Sequence, residues 1–271
     1  MKKQNAETAI ETKAETPLAT LPDVEEFAVD LETAEYSMKD LPRPVLKLVQ
    51  SGSDMCKQAS DAYNPEAKEG MFYLNSTKEL LKSGDFLIVP VTMQKREIQY
   101  LIDGKKQIFM GEHLENSDIS KKVIDEPNPN GGRDLRVVQT GDQKTILTNT
   151  AIWYCLMLVE KDGVTRWDKV TISLSSSQLR ASSDWLGYLH GIKIPSKKNP
   201  GKLITPAFFW RSYRASAVPK SNDQHSWVVW NFTEEMKLDA QNQAHASLIT
   251  DAAAYYTDVK AGSVKVDHEE V

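Results

Sequence analysis

Two stretches near the end of the chain decide the fold: Ala207-Phe208-Phe209-Trp210-Arg211-Ser212-Tyr213-Arg214-Ala215-Ser216-Ala217 and Ser226-Trp227-Val228-Val229-Trp230-Asn231-Phe232. Aromatic and β-branched residues dominate both, and turn formers fill Pro219 to Gln224 between them, so the pair reads as a β-hairpin. Alternation puts Phe209, Arg211 and Tyr213 on one face of the first strand and Phe208, Trp210, Ser212 and Arg214 on the other. On the second strand Trp227 and Val229 oppose Val228 and Trp230. Every face carries a ring, and both faces of the first strand carry a guanidinium. Core packing on one side with aromatic–Arg cover on the other accounts for this. A surface that stacks rings on bases and holds phosphates accounts for it as well.

Val45 to Gln50 is a strand entered through Leu41-Pro42-Arg43-Pro44, and Gly70 to Leu74 is a short one. Asp85 to Met93 is stronger, and Arg96 to Ile102 alternates and could pair with it or with Gln107 to Met110 across the hairpin signal Asp103-Gly104. Leu135 to Gln139, Thr150 to Glu160 and Trp167 to Leu174 are strands. Residues 111–134 form a loop with weak helical character over Leu114 to Ile124. Ser175 to Leu189 reads as a helix with a serine N-cap. Ile192 to Lys202 is a basic loop, and a final helix covers Thr233 to Tyr256. Short strands without βαβ alternation indicate a mostly β (α+β) protein, a β-barrel or sandwich, with one inserted and one C-terminal helix. The expected divisions are a disordered acidic segment 1–40, a β-rich domain 41–232, the helix 233–258 and a polar acidic tail 259–271.

The charge is uneven. From Lys161 to Lys220 there are eleven Lys/Arg against three acids, a local +8 in a chain whose total is −5. The first forty residues carry −6 and residues 221–271 another −6. All six tryptophans lie between Trp153 and Trp230. Cations release counterions from phosphates while flat rings stack on bases, so this basic, aromatic region points to a single-stranded nucleic acid. The acidic ends either compete for that surface or serve solubility.

Cys56 and Cys155 form no CxxC pair and read as free thiols in a reducing compartment. The N-terminus lacks the apolar core of a signal peptide, and the apolar run Ala151 to Val159 is too short for a bilayer. A soluble, cytoplasmic protein with no membrane partner is expected. No Walker motif, HExxH, His–Cys metal spacing or GxSxG occurs, and the five histidines are scattered. The expectation is therefore no enzyme activity, no cofactor and no metal.

The binding residues this reading selects are Lys193, Lys197, Lys198 and Lys202 of the basic loop, Arg180 of the preceding helix, and Trp210, Arg211, Tyr213, Arg214, Trp227 and Trp230 of the hairpin. Ordinary solvation explains the lysines equally well. A structural or accessory interaction protein with the same β-rich body is the alternative, and an enzyme of nucleic acid metabolism a third reading.

The order Pro42 to Leu48, Phe86 to Val91, Val170-Thr171-Ile172-Ser173-Leu174-Ser175-Ser176-Ser177-Gln178-Leu179-Arg180, then an aromatic strand and a Trp-bearing return strand resembles bacteriophage-encoded single-stranded DNA-binding proteins of replication and recombination modules. The resemblance covers residues 41–232. It implies an OB-like barrel core, single-stranded DNA as partner, and replication or recombination proteins or a second copy of the chain as further partners, in the host cytoplasm. Such proteins often end in an acidic tail with a terminal aromatic, whereas this chain ends Glu269-Glu270-Val271. Whether DNA or RNA is bound stays open.

Overall fold

The computed structural model describes residues 43–81, 84–103, 106–128, 134–140, 143–161, 163–222 and 226–266. The expected disordered arm 1–40, the end of the tail and the centres of several turns lie outside the described residues. The fold is mostly β, a curled half-barrel sheet with two helices.

Two strands form its spine, β3 (Asp85–Asp103) and β7 (Gln143–Lys161), each 19 residues long. They pair antiparallel from Ile88↔Met157 to Leu101↔Thr145. At about 3.3 Å per residue such strands span roughly 60 Å and must bend to fit a domain of this size. The bend coincides with Pro90, where the register shifts between Pro90 and Thr92. Proline offers no N–H to a ladder, so within a central strand it belongs at a bulge. The bulge also exchanges the faces: Phe86 and Ile88 before it and Met93 after it join the same core. The two segments expected as separate strands, Asp85–Met93 and Arg96–Ile102, are one continuous strand, with the bulge inside the first of them.

Each spine strand takes two neighbours along its outer edge. β3 pairs with β11 (Arg211–Ser221) near its start and with β4 (Lys106–Leu114) towards its end. β7 pairs first with β6 (Leu135–Thr140), itself joined by β5 (Ile124–Glu126), and then with β8 (Val164–Ser175). Beyond these lie β12 (Ser226–Lys237) next to β11, and β1 (Val45–Leu48) and β2 (Phe72–Leu74) next to β8. β1 runs parallel to β8, with Leu46 opposite Ile172. The side chain of Asn75 extends this strand by accepting from Val45 N at 2.6 Å.

The apolar run in β7 is continuous because both faces are covered. Trp153, Cys155 and Met157 face one core with Trp185 and Leu189 of α1 (Leu179–Gly191). Ile152, Tyr154 and Leu156 face a second core with Leu248, Ala252, Tyr255 and Val259 of α2 (Gln243–Lys260). Helices thus cover opposite faces of one sheet.

Among the described residues no backbone ladder joins β12 to β1 or β2. Side chains close that seam. Gln50 Nε2 donates to Val228 O at 3.0 Å, and Gln178 Nε2 donates to the same oxygen at 2.8 Å while its Oε1 accepts from Trp230 N at 3.1 Å. Phe72 meets Trp230 at 4.7 Å between centroids.

Four local expectations are corrected. Phe208–Trp210 is a 3-10 turn that leads into β11, so the aromatic strand begins at Arg211. The final helix starts at Gln243: β12 runs on to Lys237, and Asn242 caps α2 by accepting from Ala244 N and His245 N. The inserted helix begins at Leu179 after a 3-10 turn at Ser176–Gln178, and no serine side chain caps it. Instead of a helix, Leu114 to Ile124 contains one 3-10 turn, Ser120–Lys122.

Candidate nucleic-acid interface

A groove of about 560 Å³ runs between α1 and the β11–β12 hairpin. One wall is Ser177 of the 3-10 turn with Arg180, Asp184 and Tyr188 of α1, the last three at spacings that share one helix face. Its hairpin wall includes Lys220, Trp227, Val229 and Asn231. Lys220 and Trp227 are directly opposed in the ladder, so a cation and a half-buried ring stand side by side. Trp185, Trp230 and Phe232 form its deeper lining.

Those deeper rings are committed to one another. Trp185 stacks on Trp153 at 4.2 Å and on Phe232 at 3.9 Å, and Phe232 stacks on Trp230 at 5.7 Å. Trp230 is 4% exposed and Tyr213 0%. The stacking role expected of Tyr213 and Trp230 is corrected accordingly: both are core residues whose rings already face protein. Burial pushes the Tyr213 phenol well above its ordinary range. Trp210 is half-buried in the 3-10 turn, and its carbonyl accepts from Leu238 N at 3.0 Å. Of the rings selected from sequence, Trp227 alone lines the groove with an accessible face, and exposed Tyr188 joins it.

The cations divide similarly. Arg211 pairs with Glu234, whose other oxygen accepts from Tyr188 Oη at 2.5 Å, tying α1 to β12. That bond raises the Tyr188 pKa. Arg214 meets Glu235 through two bonds of 3.1 and 2.9 Å and Asp85 at 3.4 Å. The same bonds hold the Glu235 carboxyl below its ordinary range. Arg180 is 90% exposed and only 3.8 Å from Asp184, a weak contact between exposed groups. Lys193 donates to Thr205 Oγ1 at 2.7 Å. Lys197, Lys198 and Lys202 are exposed and form no ion pair among the described residues. Local charge counting missed the compensation because the acids come from other strands.

The structure therefore gathers Arg180 and Trp227 in one groove and puts Trp230 in its floor. It leaves Arg211 and Arg214 in ion pairs and the four lysines on the segment after α1. Sequence reasoning missed Tyr188, Asp184 and Lys220. Helical spacing from Ser177 would have found the first two, and the hairpin register the third.

A second concavity, about 180 Å³, lies between α1 and the spine, lined by Lys95, Arg96, Glu97, Glu115 and Asn149 among others. Glu97 is 3% exposed, bonded by Arg136 at 2.7 Å and by Ser120. Among the described residues no three His, Cys, Asp or Glu side chains gather as a metal site, and no helix is long and apolar enough to cross a membrane.

The family model described as Pam3 phage gp34-like protein matches residues 12–265, so the chain belongs to that phage protein family. No curated protein and no solved structure matches it.

Proposed function

We propose that this member of the Pam3 phage gp34-like family is a sequence-independent single-stranded DNA-binding protein. It would support phage DNA replication or recombination in the host cytoplasm, by binding rather than catalysis and without a cofactor. The observation that carries the reading is the groove in which Arg180 and Lys220 flank Trp227 and Tyr188. Cations beside accessible rings are the chemistry an unpaired strand needs, because its bases offer π-faces that a duplex keeps stacked. An OB-like barrel core belongs to the same reading, and the curled half-barrel sheet is what supports it.

One observation favours a second reading, a structural or accessory interaction protein that binds no DNA. Arg211 and Arg214 are engaged by Glu234, Glu235 and Asp85, so much of the local positive surplus is compensated inside the fold. Polarisation of a labelled, unstructured oligonucleotide at low and moderate salt, against the matching duplex, separates the two. Saturable binding that weakens with salt and prefers the single strand supports the first reading. Absence of binding at low salt contradicts it and leaves the second.

A further inference from the structure

After α1 the chain forms a small two-stranded ribbon, β9 (Ile194–Pro195) and β10 (Leu203–Ile204), with Leu203 opposite Pro195 and Ile204 opposite Ile194. It is a built structure rather than a loose loop. Ser196 N donates to Lys202 O at 2.8 Å, Lys202 N to Asn199 O at 3.1 Å, and Asn199 N to Ser196 Oγ at 3.1 Å. Gly201 takes φ +84°, a conformation that side chains resist, to close the turn. On this ribbon two large apolar side chains face solvent, Leu203 at 61% and Ile204 at 39% exposure. Lys197, Lys198 and Lys202 stand exposed on the same unit.

From Trp185 to Asn222 the chain contains no Asp or Glu. Arg211 and Arg214 find acids on neighbouring strands, whereas these three lysines form no ion pair among the described residues. Three uncompensated cations around an apolar pair oppose association with a second copy of the same ribbon. They suit a polyanion that also presents apolar faces, which is a nucleic acid strand with unstacked bases. Apolar side chains contacting bases while cations hold the backbone is an established division of labour in nucleic-acid binding. The site is also within reach of the groove: Tyr188 and Lys193 are five residues apart, at most roughly 18 Å of chain.

We propose that the ribbon is a second contact on the bound strand, with Leu203 and Ile204 packing against bases and Lys197, Lys198 and Lys202 on the phosphates. This rests on the single-strand reading and adds a base-contacting element outside the groove.

The test compares wild type, Leu203→Ser/Ile204→Ser, Lys197→Ala/Lys198→Ala/Lys202→Ala and the groove variant Arg180→Ala/Lys220→Ala. The probes are an unstructured oligonucleotide and an abasic strand of equal length. The apolar variant should lose several-fold in affinity for the normal strand with an unchanged salt slope, and match wild type on the abasic strand. The lysine variant should lose affinity on both and flatten the log–log salt slope by about 2, three phosphates at ~0.7 each. If the groove variant weakens binding while both ribbon variants bind as wild type, the ribbon proposal fails and the groove reading stands. An apolar variant that weakens equally on both strands overturns the base contact. A wild type that binds neither strand overturns both readings.

Discussion

The side-chain amide of Gln178 takes the place of a strand beside Val228: its Nε2 donates to Val228 O at 2.8 Å and its Oε1 accepts from Trp230 N at 3.1 Å. A glutamine at the foot of α1 thus satisfies the exposed edge of β12, where unpaired backbone would invite another strand. It also fixes the wall of the groove relative to its helix. Gln178→Ala should cost about 1–2 kcal/mol, since Val228 O keeps Gln50 but Trp230 N is left without this acceptor. Urea denaturation with an unchanged m-value would report it. An unchanged midpoint would mean the seam is held by Gln50 and the Phe72–Trp230 contact without Gln178.

Arg211→Ala/Arg214→Ala is the variant that the sequence alone selects for weakening binding and flattening its salt dependence. The structure reassigns its effect. Both guanidiniums are bound by carboxylates, so their loss should leave oligonucleotide affinity within about twofold, while removing Arg180 and Lys220 should flatten the log–log salt slope by about 1.4. Parallel salt titrations of the two double variants decide between these assignments.

Glu97 is a buried carboxylate held by Arg136 at 2.7 Å. Removing one partner of a buried pair strands the other charge, typically at 3–5 kcal/mol; with Arg136 28% exposed, Arg136→Ala should cost about 2–3 kcal/mol. Thermal and urea unfolding would check it. A cost near zero would place the pair with surface ion pairs.

Alkaline pH should destabilise the fold through its buried phenols. Tyr154 has its pKa pushed up from 10.0 to about 12, chiefly by burial, and burial raises Tyr213, Tyr255 and the Cys155 thiol in the same direction. A raised folded-state pKa contributes stability that is complete below the unfolded value and disappears as pH rises through the folded one. For Tyr154 that window runs from pH 10 to about 12. Phenolate absorbance should therefore show the buried tyrosines titrating only with unfolding. A thiol reagent at neutral pH should label Cys56, which is half-buried, and spare Cys155 until the protein is denatured.

Most strands were legible because their burial writes itself into composition: the apolar run Ala151–Val159 read as part of a strand, and both of its faces are covered in the fold. The limits of legibility are equally physical. The polar run Gln94-Lys95-Arg96 interrupts the apolar pattern of β3, so one strand read as two. The pattern Met236, Ala240, Ala244, Leu248 mimicked a helix that in fact begins at Gln243, since strand pairing to β11 outweighed helical spacing over Thr233–Lys237. At the site, charge windows and ring counts see neighbours in sequence, whereas Glu234, Glu235 and Asp85 neutralise arginines across the sheet. Rings that suggested a platform for bases proved to stack on each other along Trp153, Trp185, Phe232 and Trp230. Of the residues selected from sequence, Arg180 and Trp227 line one groove between α1 and the hairpin.

The central claim is that an unpaired strand lies in the groove against Trp227. The most direct measurement is a titration of intrinsic tryptophan fluorescence with an unstructured oligonucleotide, for wild type and Trp227→Phe. Saturable quenching that weakens with salt is expected in wild type and should be largely lost in the variant, because Trp227 is the accessible tryptophan of the groove among the described residues while Trp153, Trp185 and Trp230 are buried. Undiminished quenching in Trp227→Phe would place the strand elsewhere on the molecule, and no quenching in wild type at low salt would contradict the account outright.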